Sequence, residues 1–273
     1  MSISQRDTAF GDEIARLYER YLVRLIFQPY AEATAQQLAA MQPARVLEIA
    51  CGTGVLTRAL ASRLPASSSI TASDLNPAML EEAKRVGTSR PVSWRQADAL
   101  ALPFPDGSFD AVVCEFGAMF FPDKPKAFAE ARRVLAPGGV YLFSVWAAIE
   151  DNEITDVATN ALASLFPDDP PSFMRRTPHG YHDRATIERD LARGGFDGQI
   201  GFETITARSR ARSAREAAIG ICQGTPLRSE IESRDPSRLE EATEVATRAL
   251  VDRFGSGPID AAMKAHLVLV RRP

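Results

Sequence analysis

Short apolar blocks alternate along the first half of the chain with longer blocks whose apolar residues recur at helical spacing. The short blocks, near 45–50, 69–74, 92–97, 109–115 and 139–146, predict strands. Helical spacing fills the intervals near 54–64, 77–86 and 123–136. Strands and helices that alternate in this way build a parallel sheet with helices on both faces. Further along, Asp183 is placed to cap the helix RATIERDLARGG, whose glycine pair stops it before a strand near 199–207. The closing AHLVLVRR predicts a last strand.

Three segments exceed a minimal sheet-and-helix core: 1–40, roughly 148–182 and roughly 209–262. Their expected place is above the carboxyl ends of the strands, where open α/β sheets bind ligands. The third predicts helix from Ala214, a break at Gln223-Gly224-Thr225-Pro226, and helix again from Ser237 to Phe254. In the first, Phe10, Tyr18, Tyr21 and Phe27 mark the apolar face of a helix that acts either as a lid or as a buried brace.

The stretch VLEIACGTGVLT, Val46 to Thr57, carries most of the chemistry. An apolar strand runs into a turn with glycines at 52 and 54, where backbone can approach a ligand closely and a helix opens with free N–H groups pointing into the site. Asp74 ends the next strand about twenty residues on, where a ribose-binding acid is expected in a doubly wound sheet. Its carboxylate can accept from two hydroxyls at once. Asn76 and Pro77 read as a helix cap and a first-turn proline, so Asp74 also reads as a helix-terminus acid. Two details turn the motif away from a nicotinamide dinucleotide. Thr57 stands where the third glycine of G-x-G-x-x-G belongs, and Glu48 just before the turn would repel a diphosphate while suiting a cationic ligand.

From Arg45 to Trp146 the chain resembles the class I S-adenosylmethionine-dependent methyltransferases, and among them the quinone-biosynthesis C-methyltransferases. The resemblance rests on four motifs in order: VLEIACGTG, ITASDLNPAML, QADALALPFPDGSFDAVVCEFGAMFFPD and RRVLAPGGVYLF. It departs at Ala50, where the family has the first glycine of its turn. The fold it implies is a Rossmann-like, doubly wound, seven-stranded, mostly parallel sheet with a helical cap, the last strand antiparallel beside its predecessor. The implied layout is a helical lid at 1–40, a cofactor-binding core at 41–147, and at 148–273 the rest of the sheet with helical insertions that form the substrate pocket.

Carried over by position, the resemblance places Glu48, Ala50, Gly52 and Gly54 around the methionine part of S-adenosylmethionine, whose product is S-adenosylhomocysteine. It gives Asp74 the ribose and Asp98 the adenine amino group. The backbone of Ala99 meets a ring nitrogen, and Leu75 and Met79 sandwich the ring, Met79 equally reading as helix core. Glu115 and Phe116 fall beside the transferable methyl. Relatives close the pre-core helix over the cofactor, which favours Tyr18 and Tyr21 as parts of a lid.

Composition narrows the partners. A formal charge of -3 over 273 residues gives no bulk attraction to nucleic acid. The run Arg208, Arg210, Arg212 and Arg215 lacks interleaved aromatics for base stacking and reads as a solvated helix entrance. Cysteines 51, 114 and 222 have neither paired nor metal-like spacing, so no metal site or arsenic chemistry is expected, and they suit a reducing cytoplasm. No apolar run is long enough to span a membrane, and the N-terminus lacks the apolar core of a signal peptide. The expected partner is a small-molecule methyl acceptor, with a homodimer left open.

A sulfonium methyl is already activated, so such an enzyme must chiefly align an acceptor and exclude water. A base is required only for a poor nucleophile. His182, within RTPHGYHD, is the first candidate and His179 the second, both also reading as loop residues; His266 reads as structural. Phe116, Met119, Phe120 and Phe121 follow the fourth strand, where an apolar acceptor would lie against the methyl, or where they pack as core. Two other readings stand beside a small-molecule methyltransferase: a cofactor-binding scaffold without turnover, to which Ala50 points, and a nicotinamide oxidoreductase.

Overall fold

The computed structural model describes residues 11–273; the expectation for Phe10, and the part of the lid before Gly11, lie outside them. Seven strands form one sheet: β1 (Arg45–Ile49), β2 (Ser69–Asp74), β3 (Ser93–Gln96), β4 (Phe109–Glu115), β5 (Leu135–Trp146), β6 (Gly201–Ala211) and β7 (Ile259–Arg271). Their order is β3-β2-β1-β4-β5-β7-β6. The first five pair in parallel, and β7 lies antiparallel between β5 and β6. This is the doubly wound sheet expected, with its order reversing between β1 and β4, where such sheets open a crevice for ligands.

The central strands are buried on both faces. Leu47, Ile49, Val112 and Cys114 face one core, while Val46, Ala111 and Val113 face the other. Three helices follow their strands as predicted: α3 (Val55–Arg63), α4 (Pro77–Val86) and α5 (Lys124–Val134). Asn76 Oδ1 caps α4 by accepting from the Ala78 N–H at 2.9 Å, and Pro77 occupies its first turn.

The chain before β1 divides into α1 (Asp12–Leu17), a π-helical segment (Tyr18–Phe27) and α2 (Gln28–Met41). The π-helical segment reaches the carboxyl ends of the strands, where Phe27 meets Phe116 and Trp146. Ala31, Ala35 and Leu38 of α2 are buried against Val46, Leu56 and Leu60, so this helix belongs to the sheet's own core. The second surplus segment supplies α6 (Glu153–Leu165) and a single turn, α7 (Phe173–Arg176). Next comes α8 (Arg184–Arg193), where Asp183 Oδ2 accepts from the Thr186 N–H at 2.8 Å and Gly195 leaves the helix at φ +86°. The third supplies α9 (Ala214–Gln223), α10 (Leu227–Arg234) and α11 (Leu239–Phe254), of which α10 was not apparent in the sequence. Among the described residues no helix is long and apolar enough to cross a membrane, and no group of three or more His, Cys, Asp and Glu is placed to hold a metal ion.

Candidate functional site

β1 ends at Ile49, and the chain then turns through three left-handed residues: Ala50 at φ +54°, Gly52 at +54° and Gly54 at +84°. For alanine this conformation is strained. Its methyl is accommodated because residue 117 is glycine: a Cβ there would stand 2.5 Å from Ala50 Cβ and 2.8 Å from Cys114 Sγ. The turn is anchored by Asp74, whose Oδ2 accepts from the Gly52 N–H and Oδ1 from the Asn76 N–H, each at 2.8 Å. Burial raises the Asp74 pKa against the opposing pull of these bonds. Glu48, 1% exposed beneath the turn, accepts from Thr57 Oγ1 at 2.6 Å. Burial lifts its carboxyl to about 8 despite that bond. Thr57, which replaces the third glycine of a dinucleotide motif, therefore serves as the donor to Glu48.

On the neighbouring strand, β4 ends at Glu115, and Phe116 is again left-handed at φ +52°. Neither Glu115 carboxylate oxygen has a hydrogen-bond partner among the described residues, although both are buried. Burial, reinforced by the charge of Glu48, holds this carboxyl well above the usual range. Phe116 stacks on Trp146 at 3.9 Å and 12° between ring planes. Phe27 and Tyr30 close on both rings, with centroids 5.4–5.8 Å away.

A cavity of about 550 Å³ joins these groups. Ala50, Gly52, Asp74, Leu75, Met79, Asp98 and Ala99 line one end, and Glu115 and Phe116 the middle. Phe120, Trp146, Thr155, Phe173, His179 and Ile221 line the other end. Leu75 is 53% exposed and Met79 3% exposed, and both add apolar surface to the cavity wall. Tyr18 reaches from the π-helical segment to a point over the glycine turn, 4.0 Å from where a Gly52 side chain would begin.

Several residues singled out in the sequence stand elsewhere. Glu48 faces a recess of about 20 Å³ beside the main cavity, shared with Tyr18, Gly52 and Glu115. Gly54 is off the cavity wall; a Cβ there would meet Ala83 Cβ at 3.3 Å and Trp94 at 3.4 Å, so it serves the turn and the packing of α3 on α4 and β3. Met119 is 2% exposed in the main core and does not line the cavity. Tyr21 is also absent from the wall: the wider π-helical turn carries it round the helix, while Leu22 and Ile26 stay in line with Tyr18. The two histidines are placed differently. His182 is exposed and its Nδ1 contacts the His179 carbonyl at 2.7 Å, whereas His179 lines the cavity. His266 is off the site on β7, its Nδ1 2.9 Å from Thr204 Oγ1.

Among the lining residues that the sequence did not single out are Leu22, Ile26, Trp146, Phe173, Met174 and Ile221. Trp146 carried a signal, as an aromatic at the carboxyl end of β5. The others lie in the surplus segments, where only the segment and not the residue was legible.

A doubly wound sheet whose switch point holds a glycine turn, a ribose-competent carboxylate and a deep apolar cavity defines a protein built to hold a nucleoside-bearing ligand beside an apolar one. Residues 47–143 match the family model described as Methyltransferase domain. The chain is 48% identical over 99 residues to a demethylmenaquinone methyltransferase of Thermus thermophilus, covering 36% of this chain and 44% of that protein. It is 33% identical over 192 residues to a malonyl-[acyl-carrier protein] O-methyltransferase of Geobacter sulfurreducens, covering 70% of this chain and 67% of that one. A Haemonchus contortus phosphoethanolamine N-methyltransferase 2, solved with S-adenosylhomocysteine, shares the fold at a TM-score of 0.61 and 18% identity, covering 97% of this chain and 58% of that one. The chain belongs to the class I S-adenosylmethionine-dependent methyltransferases, in the group that resembles the quinone-biosynthesis enzymes.

Proposed function

We propose that the protein transfers the methyl group of S-adenosylmethionine to a small apolar or aromatic molecule. The observation that carries this reading is the single cavity that joins the Asp74 and Asp98 end to the aromatic end across the tip of β4. The site suits a cationic cofactor: Glu115 offers a buried carboxyl without a partner among the described residues, and Glu48 and Asp74 lie close by. When bound, S-adenosylmethionine supplies a methyl already activated on a sulfonium.

In this reading Glu48, Ala50, Gly52 and Gly54 shape the methionine end, Gly54 through the turn rather than by contact. Asp74 takes the ribose hydroxyls with the lone pairs left by Gly52 and Asn76. Asp98 and the Ala99 backbone address the adenine edge, and Leu75 and Met79 its faces. Glu115 and Phe116 flank the methyl, while Phe120, Trp146 and Phe173 present an apolar wall to the acceptor and keep water out. Tyr18 and its π-helical segment form the lid, and the two later insertions form the pocket. An acid-free acceptor end supports an apolar acceptor, as does the quinone named for the Thermus relative. Arg208 and Arg210 pair with Asp260, Arg212 with Glu216, and Arg215 with Glu240 and Glu244, which supports a small molecule over nucleic acid. Three buried free cysteines support a reducing, cytoplasmic setting.

Calorimetry tests the cofactor half. S-adenosylmethionine and S-adenosylhomocysteine bind, NADH does not, and Asp74→Ala weakens binding by about 1.5–3 kcal/mol, the range for hydrogen bonds to a charged group. Tighter binding of NADH, or a natively folded Asp74→Ala that binds as well as wild type, overturns the reading.

A further inference from the structure

The acceptor end of the cavity has few polar side chains, and two of them are fully committed. Asn152 donates from Nδ2 to the carbonyls of Ala148 and Lys264, and its Oδ1 accepts from the Lys264 N–H. Thr225 Oγ1 donates to the Ile221 carbonyl and accepts from the Leu227 N–H. Two remain: the Thr155 hydroxyl and one nitrogen of His179.

His179 is 5% exposed, and its Nδ1 lies 2.9 Å from the Ala147 carbonyl oxygen. A carbonyl only accepts, so Nδ1 carries the proton and donates it. Burial depresses the imidazole pKa to about 4 against the support of that bond, so a second proton is absent near neutral pH. Nε2 is then an acceptor and nothing else, and it has no partner among the described residues. A Thr155 hydroxyl can donate or accept by rotation and therefore does not choose between ligands. Nε2 does choose. A ligand that places an ether oxygen or a bare carbonyl against it leaves two lone pairs facing each other in an apolar cavity.

The ring's position fixes where this choice is made. His179 sits 5.9 Å from Trp146, which stacks on Phe116 at the tip of β4. Phe173, 6.2 Å from Phe120, supplies further apolar wall.

We propose that His179 is the specificity-determining residue of the acceptor site, and that its Nε2 selects aromatic acceptors bearing a free hydroxyl over the same compounds with that oxygen alkylated. The proposal rests on the methyltransferase reading and gives it a substrate class, hydroxylated aromatics. His179 acts by positioning: its hydrogen bond holds the hydroxyl end while the ring lies along the Phe116 and Trp146 side of the cavity. A site built to hydrogen-bond a hydroxyl rejects the analogue that lacks it far more strongly than an apolar pocket rejects a missing methylene.

The test uses the full-length protein with S-adenosylhomocysteine bound, and 2-naphthol and 2-methoxynaphthalene as probes in calorimetry. Wild type binds 2-naphthol on the order of tenfold more tightly than its methyl ether, the consequence of one buried hydrogen bond made or lost. In His179→Phe the preference disappears while affinity for S-adenosylhomocysteine is retained. Nitrogen-15 NMR of wild type gives a second readout that needs no variant, since the chain has three histidines. It finds Nε2 of His179 unprotonated and its signal moved by 2-naphthol but not by the ether. Equal affinity of the two probes for wild type, an unchanged preference in a folded His179→Phe, or a protonated Nε2 overturns the proposal and leaves the methyltransferase reading intact. Failure of wild type to bind S-adenosylhomocysteine overturns both.

Discussion

Glu48 and Asp74 approach the same glycine turn from adjacent strands, yet one is held by a side-chain hydroxyl and the other by two backbone N–H groups. The difference has a measurable result. Burial raises the folded-state pKa of Glu48 from 4.5 to about 8, so on raising the pH the unfolded chain loses this proton first. The stabilisation from the protonated group is complete below about pH 4.5 and is lost as pH rises towards 8, with a slope of at most about 1.4 kcal/mol per pH unit. Glu48→Gln keeps an acceptor for Thr57 and abolishes the titration. Its Tm exceeds that of wild type at pH 8 by about 2–4 °C for each kcal/mol, and the gap closes towards pH 5. Parallel Tm curves across that range would contradict the assignment. The two acids were legible because their register against the glycine turn follows the sheet. The bond from Thr57 was not: the sequence marked that position only by a missing glycine, and a contact across nine residues depends on how strand and helix meet. The histidines were illegible for a similar reason. His179 and His182 share one loop, and its path decides which ring enters the cavity.

The π-helical segment is pinned to the glycine-turn helix by a bidentate contact from Arg58 Nη2 to Glu19, at 2.8 and 3.1 Å, while Arg58 Nη1 donates to the Thr53 carbonyl. Ser209 Oγ adds a second pin by donating to the Leu25 carbonyl, and Arg228 pairs with Glu13 of the preceding α1. Glu19→Gln weakens the first pin and leaves the others. Amide exchange across residues 12–27 accelerates in this variant while β1, β4 and β5 keep their protection, as expected when one local element opens. Unchanged exchange in the segment would mean that the Arg58 contact does not hold it down. Removing the whole segment is a poorer test, because Leu22, Leu25 and Phe27 are buried in the main core. The amphipathic face of this element was legible, but its detail was misread. A 3.6-residue period puts both Tyr21 and Leu22 near the Tyr18 face, whereas hydrogen bonds to the fifth residue widen each turn, keeping Leu22 and Ile26 near Tyr18 and carrying Tyr21 off that face. The early start of β7 was hidden too: its first residues, Ile259 to Lys264, are rich in alanine and lack the β-branched run that marks a strand.

At the scale of the molecule, the alternation of short apolar blocks and helices determined a parallel sheet with helices on both faces, and chirality left little freedom in its winding. The cavity at the switch point follows from that topology, and its cofactor end from four motifs. The proposed acceptor end is assembled from Trp146, Phe173, His179 and Ile221, three of which lie in insertions where no fixed period ties a residue to a position. In the proposed function both ends serve one reaction. Its most direct measurement is incubation of the protein with a small-molecule metabolite extract and S-adenosylmethionine bearing a trideuterated methyl, read by mass spectrometry. The account predicts a small apolar or aromatic product heavier by one trideuteromethyl group, formed in step with S-adenosylhomocysteine and absent with Asp74→Ala. S-adenosylmethionine that binds the protein yet transfers no label to any component of the extract would contradict it.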